Sequence, residues 1–282
     1  MSDVKITASI VLYNTPRSQI DSVLKSVFES GCVEILYIID NSPSDRWRIL
    51  ENRNEGDCKN TKIRYIHNEN LGYGASHNLA MQEAIESGSV YHIVLNPDIS
   101  FGEEVLSALT NFMEENKEAS YVLPKVVYPD GEIQYLCKLL PTPGDLIFRR
   151  FLPKSWGKKR NDRYCLKMSG YDKVINPPCL SGCFMFLRLS VLAENSIFFD
   201  EGYFMYCEDF DLMRRLHRVS KTLYFPGVQI IHDHQKESYK NRKMLIAHIK
   251  SAVRYFGKFG WWFDRERREM NKKILQEIFL DE

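Results

Sequence analysis

Asn96-Pro97-Asp98 ends the apolar run of IVLNPDISF with two oxygen-bearing side chains two residues apart. At an extended strand end that spacing points both to one face, with Pro97 stiffening the exit. Mg²⁺ or Mn²⁺ takes such oxygens and fills its remaining positions with phosphate and water. The same three residues are also strong turn formers. A second stretch, NENLGYGASHN over 68–78, places Gly72 and Gly74 before a helical pattern. Glycines there permit positive φ or close backbone approach, and a helix amino end offers N–H groups to an anion. Because the spacing is not G-x-G-x-x-G and the loop does not follow the first strand, a dinucleotide fingerprint is excluded, while a plain structural turn stays open. YFMYCEDFDLMRR over 203–215 groups Glu208, Asp209 and Asp211 beside an aromatic patch. Acids at a helix start cap it and complement its dipole; one of them desolvated by Phe204, Tyr206 and Phe210 would serve as a general base. Finally, IIHDHQKES ends a strand with His232, Asp233 and His234, and a histidine there could complete a metal site begun by Asp98 or simply be a hydrogen-bonded structural residue.

These side chains need a scaffold, and the first hundred residues supply one by alternating strand and helix. ITASIVLYN reads as a strand, and the following segment as a helix with Thr15 as N-cap, Pro16 in the first turn and apolar residues at 20, 23, 24, 27 and 28. EILYIID, KIRYIHN and VYHIVLNPD read as further strands, separated by SDRWRILENRN and ASHNLAMQEAIES as helices. Strands apolar on both faces and alternating with helices predict an α/β fold with a Rossmann-like, mostly parallel central sheet flanked by helices. Ligands of such sheets sit beyond the strand carboxyl ends. Asn14, Asp40 with Asn41, and Asn96 with Asp98 all fall there.

After residue 100 the rhythm changes. EEVLSALTNFMEEN reads as a helix, YVLPKVVYPDGEIQY as two strand-like runs around a Pro-Asp-Gly turn, and 140–175 as an irregular, basic lid region. CFMFLRL, EDFDLMRRLHRV and TLYFPGVQIIH return to the core as strand, helix and strand. The division expected is 1–235 as one catalytic unit, with 1–100 binding the nucleotide and 101–235 the acceptor, followed by a basic helical extension over 236–282.

Composition bounds the function. The 282 residues are 44% hydrophobic and 27% charged, with a net charge of +1, so no global field selects nucleic acid. Basic charge is concentrated locally: six bases and no acid between Arg149 and Arg160, and twelve bases against four acids between Lys236 and Lys273. Seven cysteines without paired spacing signal neither a disulfide framework nor a zinc site and fit a cytoplasmic compartment. No apolar run is long enough to span a membrane. The segment AHIKSAVRYFGKFGWWFDRERR mixes bases with Trp261, Trp262 and Phe263, a pattern that fits peripheral contact with the inner face of the plasma membrane, a homodimer contact, or packing on the catalytic unit.

SIVLYN, IIDNSPSD, NENLGYGASHN, LNPD, SGCFMFLR, EDFDLMRR and IIHDH occur in the order and spacing of family 2 glycosyltransferases of the GT-A fold, and over residues 5–260 the chain most resembles their rhamnosyltransferase-like members. The resemblance implies an inverting transferase of bacterial surface polysaccharide synthesis, moving rhamnose from dTDP-rhamnose, or a hexose from a UDP-sugar, to a hydroxyl of a glycan or lipid-linked glycan. It implies Asp40 and Asn14 at the nucleotide base, Asn70, Gly72, Gly74, Asn78 and Asn96 beside the nucleotide-sugar, and Mg²⁺ or Mn²⁺ on Asp98. His232 is the expected further ligand, with His234 the alternative. Asp209 resembles the catalytic base, with Glu208 and Asp211 orienting the acceptor or the helix. Asn96 departs from the family's DxD pattern and removes one anionic ligand. Without turnover, the same residues would make a nucleotide-sugar-binding protein.

Overall fold

The computed structural model describes residues 4–52, 61–146, 154–233 and 242–280. His234, Arg149 and Arg150, along with the side chain of Lys154, lie outside them. Eight strands form one mixed sheet: β1 (Ile6–Leu12), β2 (Val33–Asp40), β3 (Lys62–His67), β4 (Tyr91–Leu95), β5 (Ile99–Phe101), β6 (Ala119–Val127), β7 (Phe184–Arg188) and β8 (Lys221–His232). Their order is β3-β2-β1-β4-β7-β6-β8-β5.

The first four strands pair in parallel, as their two-sided apolar character requires. Between them run α1 (Arg17–Ser30), a 3₁₀ turn (Arg46–Asn52) and α2 (Tyr73–Glu86). The chain leaves β1 toward β2 on one side, and β4 enters on the other, so a crevice opens beyond the carboxyl ends of β1 and β4. Beyond β4 the pairing is mixed: β7 runs antiparallel to β4 and β6, β6 and β8 are parallel, and β5 closes the edge antiparallel to β8.

Two local expectations are corrected. Helix α1 begins at Arg17 with Pro16 in the extended cap position and no side-chain cap; Thr15 Oγ1 instead accepts a bond from the Tyr13 amide. The second run around Pro-Asp-Gly is no full strand: the turn closes between Tyr128 and Glu132, and only Ile133 bridges back to Val127.

Helix α3 (Glu104–Glu115) packs under β6 and β8. The expected lid region folds as short helices α4 (Pro143–Leu146) and α5 (Lys154–Tyr164), then a 3₁₀ turn (Lys167–Ser169). After α6 (Leu189–Asn195) comes α7 (Glu208–Val219), spanning the acidic segment foreseen in the sequence.

The extension forms α8 (Arg242–Phe259) and α9 (Arg265–Leu280) and packs on the sheet-bearing body through α7. Tyr203, Cys207 and Phe210 bury against Ala252, Tyr255 and Phe256 of α8 in a second apolar core. Buried Arg214 of α7 binds both oxygens of Asp264 at 2.6 Å and Glu266 at 2.8 Å. Fully buried Asp211 joins Arg215 at 2.6 Å to Lys258 of α8 at 2.7 Å. A desolvated ion pair is stable only when every charge is satisfied, and these are.

Candidate active site

The carboxyl ends of β1, β2 and β3 are tied by backbone: Asn41 N donates to Leu12 O at 2.9 Å, and Asn68 N to Asp40 O at 3.0 Å. Asp40 is fully buried there; Oδ1 accepts from Ser42 N at 3.0 Å and Oδ2 from the Tyr65 hydroxyl at 2.9 Å. Burial and that carboxylate push the Tyr65 phenol well up. Asn14 is exposed at the rim in a left-handed conformation, φ 52°, with its amide on Ser42 Oγ at 2.8 Å. Asn70 Oδ1 accepts from Gly72 N at 3.2 Å, so the loop before α2 is stapled by its own side chain.

The two glycines serve close packing. Gly72 has φ 95°, and a Cβ on it would stand 2.3 Å from Phe204 O; Tyr73 N donates to that same carbonyl at 3.0 Å. One of the amides expected to face an anion is thus taken by the chain itself. A Cβ on Gly74 would meet Phe199 at 2.7 Å. Asn78 is buried and holds Phe199 through both its amide and carbonyl, with Glu201 Oε1 at 3.0 Å. Gly72, Gly74 and Asn78 therefore fix the 199–204 segment that leads into α7.

Asn96-Pro97-Asp98 forms a turn between β4 and β5, not a strand end, and its two side chains take different partners. Asn96 Oδ1 accepts from the Tyr73 hydroxyl at 3.0 Å. Asp98 Oδ1 is buried and lies 3.3 Å from His232 Nε2, because Ile99 and His232 pair across β5 and β8. His232 Nδ1 contacts Gln134 Oε1 at 3.0 Å, which fixes the ring and turns Nε2 toward Asp98. Burial opposes a charge on His232, but Cys183 and Asp98 beside it outweigh burial and lift its pKa to about 10. Among the described residues no three His, Cys, Asp or Glu converge as a metal-holding group.

The acids at the start of α7 sit on strained backbone. Tyr206 and Cys207, both non-glycine, adopt φ 69° and 64°, conformations that persist only where the surroundings impose them. Glu208 is buried, and its Oε2 has no hydrogen-bond partner. Burial and the charge of Asp209 raise its pKa to about 8. Asp209 is partly exposed; Oδ1 accepts from Phe210 N at 2.9 Å, and Oδ2 from Gly182 N at 3.4 Å. Burial raises its pKa too, while Lys138 pulls it back. Two adjacent carboxyls that cannot both ionise cheaply separate into one that keeps a proton and one that can take one.

Against this geometry, residues 7–194 match the family model described as Glycosyl transferase family 2. The chain belongs to that family. The rhamnosyltransferase WbbL of Escherichia coli (strain K12) is 29% identical over 204 residues, 69% of this chain and 73% of that protein. An N-acetylglucosaminyl-diphospho-decaprenol L-rhamnosyltransferase of Mycobacterium tuberculosis (strain ATCC 25618 / H37Rv) is 26% identical over 210 residues; the alignment covers 68% of this chain and 66% of that protein. In fold the chain is similar to S. aureus TarS 1–349 solved with UDP-GlcNAc: TM-score 0.58 at 15% identity, over 98% of this chain and 73% of that one. It spans 43% of the longer S. aureus TarS structure. The GT-A fold is thereby shown.

In this family 2 transferase, three residues not singled out individually from the sequence join the acidic cluster. The Tyr73 hydroxyl joins Asn96 to Gly182 O at 2.8 Å, and burial first, with Glu208, Cys183, Asp209 and Asp98 nearby, raises its pKa. Lys138 faces Asp209 and lies 5.6 Å from the Phe210 ring centroid. A Cβ on Gly182 would touch Asp209 Cβ at 3.1 Å. The glycine loop over 68–78 carries a signal for Tyr73; nothing local marks Lys138. A buried chain of Thr7, His92, Ser9 and His77, at 2.7 to 2.8 Å, also underlies α2, with both imidazoles held neutral by burial.

Proposed function

We propose that this transferase moves rhamnose from dTDP-rhamnose to a hydroxyl of a glycan or lipid-linked glycan, with inversion, at a cytoplasmic membrane face. The observation that carries the reading is the split carboxyl pair at the strained start of α7, joined through Gly182 and Tyr73 to Asn96 just past the end of β4. Asp209, oriented by the amides of Phe210 and Gly182, takes the acceptor proton as the acceptor oxygen bonds to the anomeric carbon and the bond to the leaving diphosphate breaks. Glu208 keeps its proton and spares the site a second buried charge. The identities to two proteins named rhamnosyltransferases support rhamnose as the sugar.

Asp98 offers a divalent cation one hard oxygen, and His232, 3.3 Å away and proton-bearing beside it in the free protein, would add an imidazole nitrogen only on giving up that proton. Two donors are too few to hold it, so the diphosphate would have to complete the shell. When bound, the ion would neutralise charge growing on the leaving group. Calorimetry with dTDP-rhamnose and UDP-GlcNAc, each with Mn²⁺ and with chelator, tests donor and metal together. The expected result is Mn²⁺ binding only with donor present, selective for dTDP-rhamnose and lost in Asp98→Ala. Preference for UDP-GlcNAc would replace the donor; binding of neither would overturn the reading.

A further inference from the structure

A trough of about 770 Å³ lies between the 139–145 segment with α5 on one side and α9 with the turn before it on the other. Its floor and walls are apolar, formed by Leu139, Leu140, Trp261 and Leu275. Its polar lining is lopsided: Arg160, Arg163, Arg267, Arg268 and Lys272 face one acid, Asp145. That acid is already engaged by Arg160 at 2.9 Å and by Thr142. Arg267 is buried, yet its guanidinium meets carbonyls of Pro141 and Trp261 at 3.3 Å, and Asp264, 3.9 Å away, gives both oxygens to Arg214. A buried cation so weakly neutralised calls for an anion. Gly144 belongs to the same construction: a Cβ there would collide with the Arg160 guanidinium at 2.3 Å.

Two further features describe the ligand. Trp262 and Phe279, 62% and 57% exposed, stand at the edge of the trough, next to Phe263 and Leu280 at 90% and 84%. Such rings and side chains suit the boundary between bilayer and water. The trough also begins one residue past Lys138, which faces Asp209, and Asn271 of α9 clamps the backbone of Leu140 at 2.8 and 3.0 Å. The family match ends at residue 194, so the α9 wall belongs to the part outside it.

We infer that this trough seats the diphosphate end of a polyprenyl-type lipid, its phosphates on the arginine and lysine side chains and its first apolar units against Leu139, Leu140 and Trp261. Five bases against one neutralised acid suit a multiply charged diphosphate better than a singly charged phospholipid headgroup. The inference rests on the transferase reading in one respect, that the lipid carries the acceptor hydroxyl toward Asp209.

Farnesyl diphosphate, titrated below its aggregation limit into the full chain with tryptophan fluorescence as readout, tests it. The expected affinity exceeds that of farnesol and of inorganic pyrophosphate, each by about tenfold or more. Arg268→Gln with Lys272→Gln should weaken it about fivefold or more while leaving nucleotide-sugar affinity and thermal midpoint unchanged. Equal binding of pyrophosphate would reduce the trough to a bare anion site, and equal binding of farnesol to an apolar slot. Binding to phosphatidylglycerol vesicles with none to farnesyl diphosphate would make it a membrane contact. Each of these overturns the inference. Nucleotide-sugar calorimetry is independent, so its failure would strike the transferase reading alone.

Discussion

Replacing Glu208 with Gln removes a buried carboxyl whose pKa stands at about 8 against 4.5 in water. Between those values the native state holds a proton that the unfolded chain has released, so this group's contribution to stability is full below pH 4.5 and is lost as pH rises through 8. At about 1.4 kcal/mol per pH unit, the ceiling over that window is about 5 kcal/mol. Glu208→Gln should therefore match or fall below the parent at pH 5 and exceed it above pH 8, with a flatter stability profile. Urea unfolding followed by tryptophan fluorescence from pH 5 to 9 measures this directly. Since Gln mimics the neutral acid, turnover at pH 7 should stay within about tenfold of the parent, and any change in rate near pH 8 that comes from Glu208 ionising should disappear. Parallel stability profiles, or loss of turnover at pH 7 in a folded variant, would refute a protonated Glu208.

Asp209→Asn should lower kcat by about 10²- to 10⁴-fold with donor affinity intact, read by single-turnover transfer and calorimetry; unchanged turnover would remove its role as base. Gly72→Ala must push Cβ into the Phe204 carbonyl at positive φ, so it should cost about 2 kcal/mol or more in urea unfolding and reduce kcat through the displaced 203–207 segment. Arg214→Met strands Asp264 in the interior and should destabilise by about 3 to 5 kcal/mol in the same assay, the size expected when one member of a buried pair is removed.

The parallel half of the sheet was readable because two-sided burial writes continuous apolar runs, and α7 because its acids and its period coincide. The Asn96 turn was weighed but given strand geometry, since Leu95 and Ile99 are both buried and the break between them leaves no mark in hydropathy. Pro16 misled in the same way by fitting either the first turn or the cap. Lys138 was invisible for another reason: its partner lies 71 positions later, and only the packing of the 138–141 segment against α7 and α9 brings them together. Glycines at 72 and 74 leave room for the chain's own 199–204 segment, an approach that no local pattern in the sequence announces.

The charges anchoring α7 to Lys258, Asp264 and Glu266 also order events during synthesis. A nascent chain made only through β8 can assemble the parallel strands β1 to β4, yet it would hold Arg214 and Asp211 without those counter-ions and leave Tyr203 and Phe210 uncovered. The parallel half of the sheet can thus mature well before the start of α7 is anchored. A partly made chain would present a finished sheet beside an acidic helix still free to move.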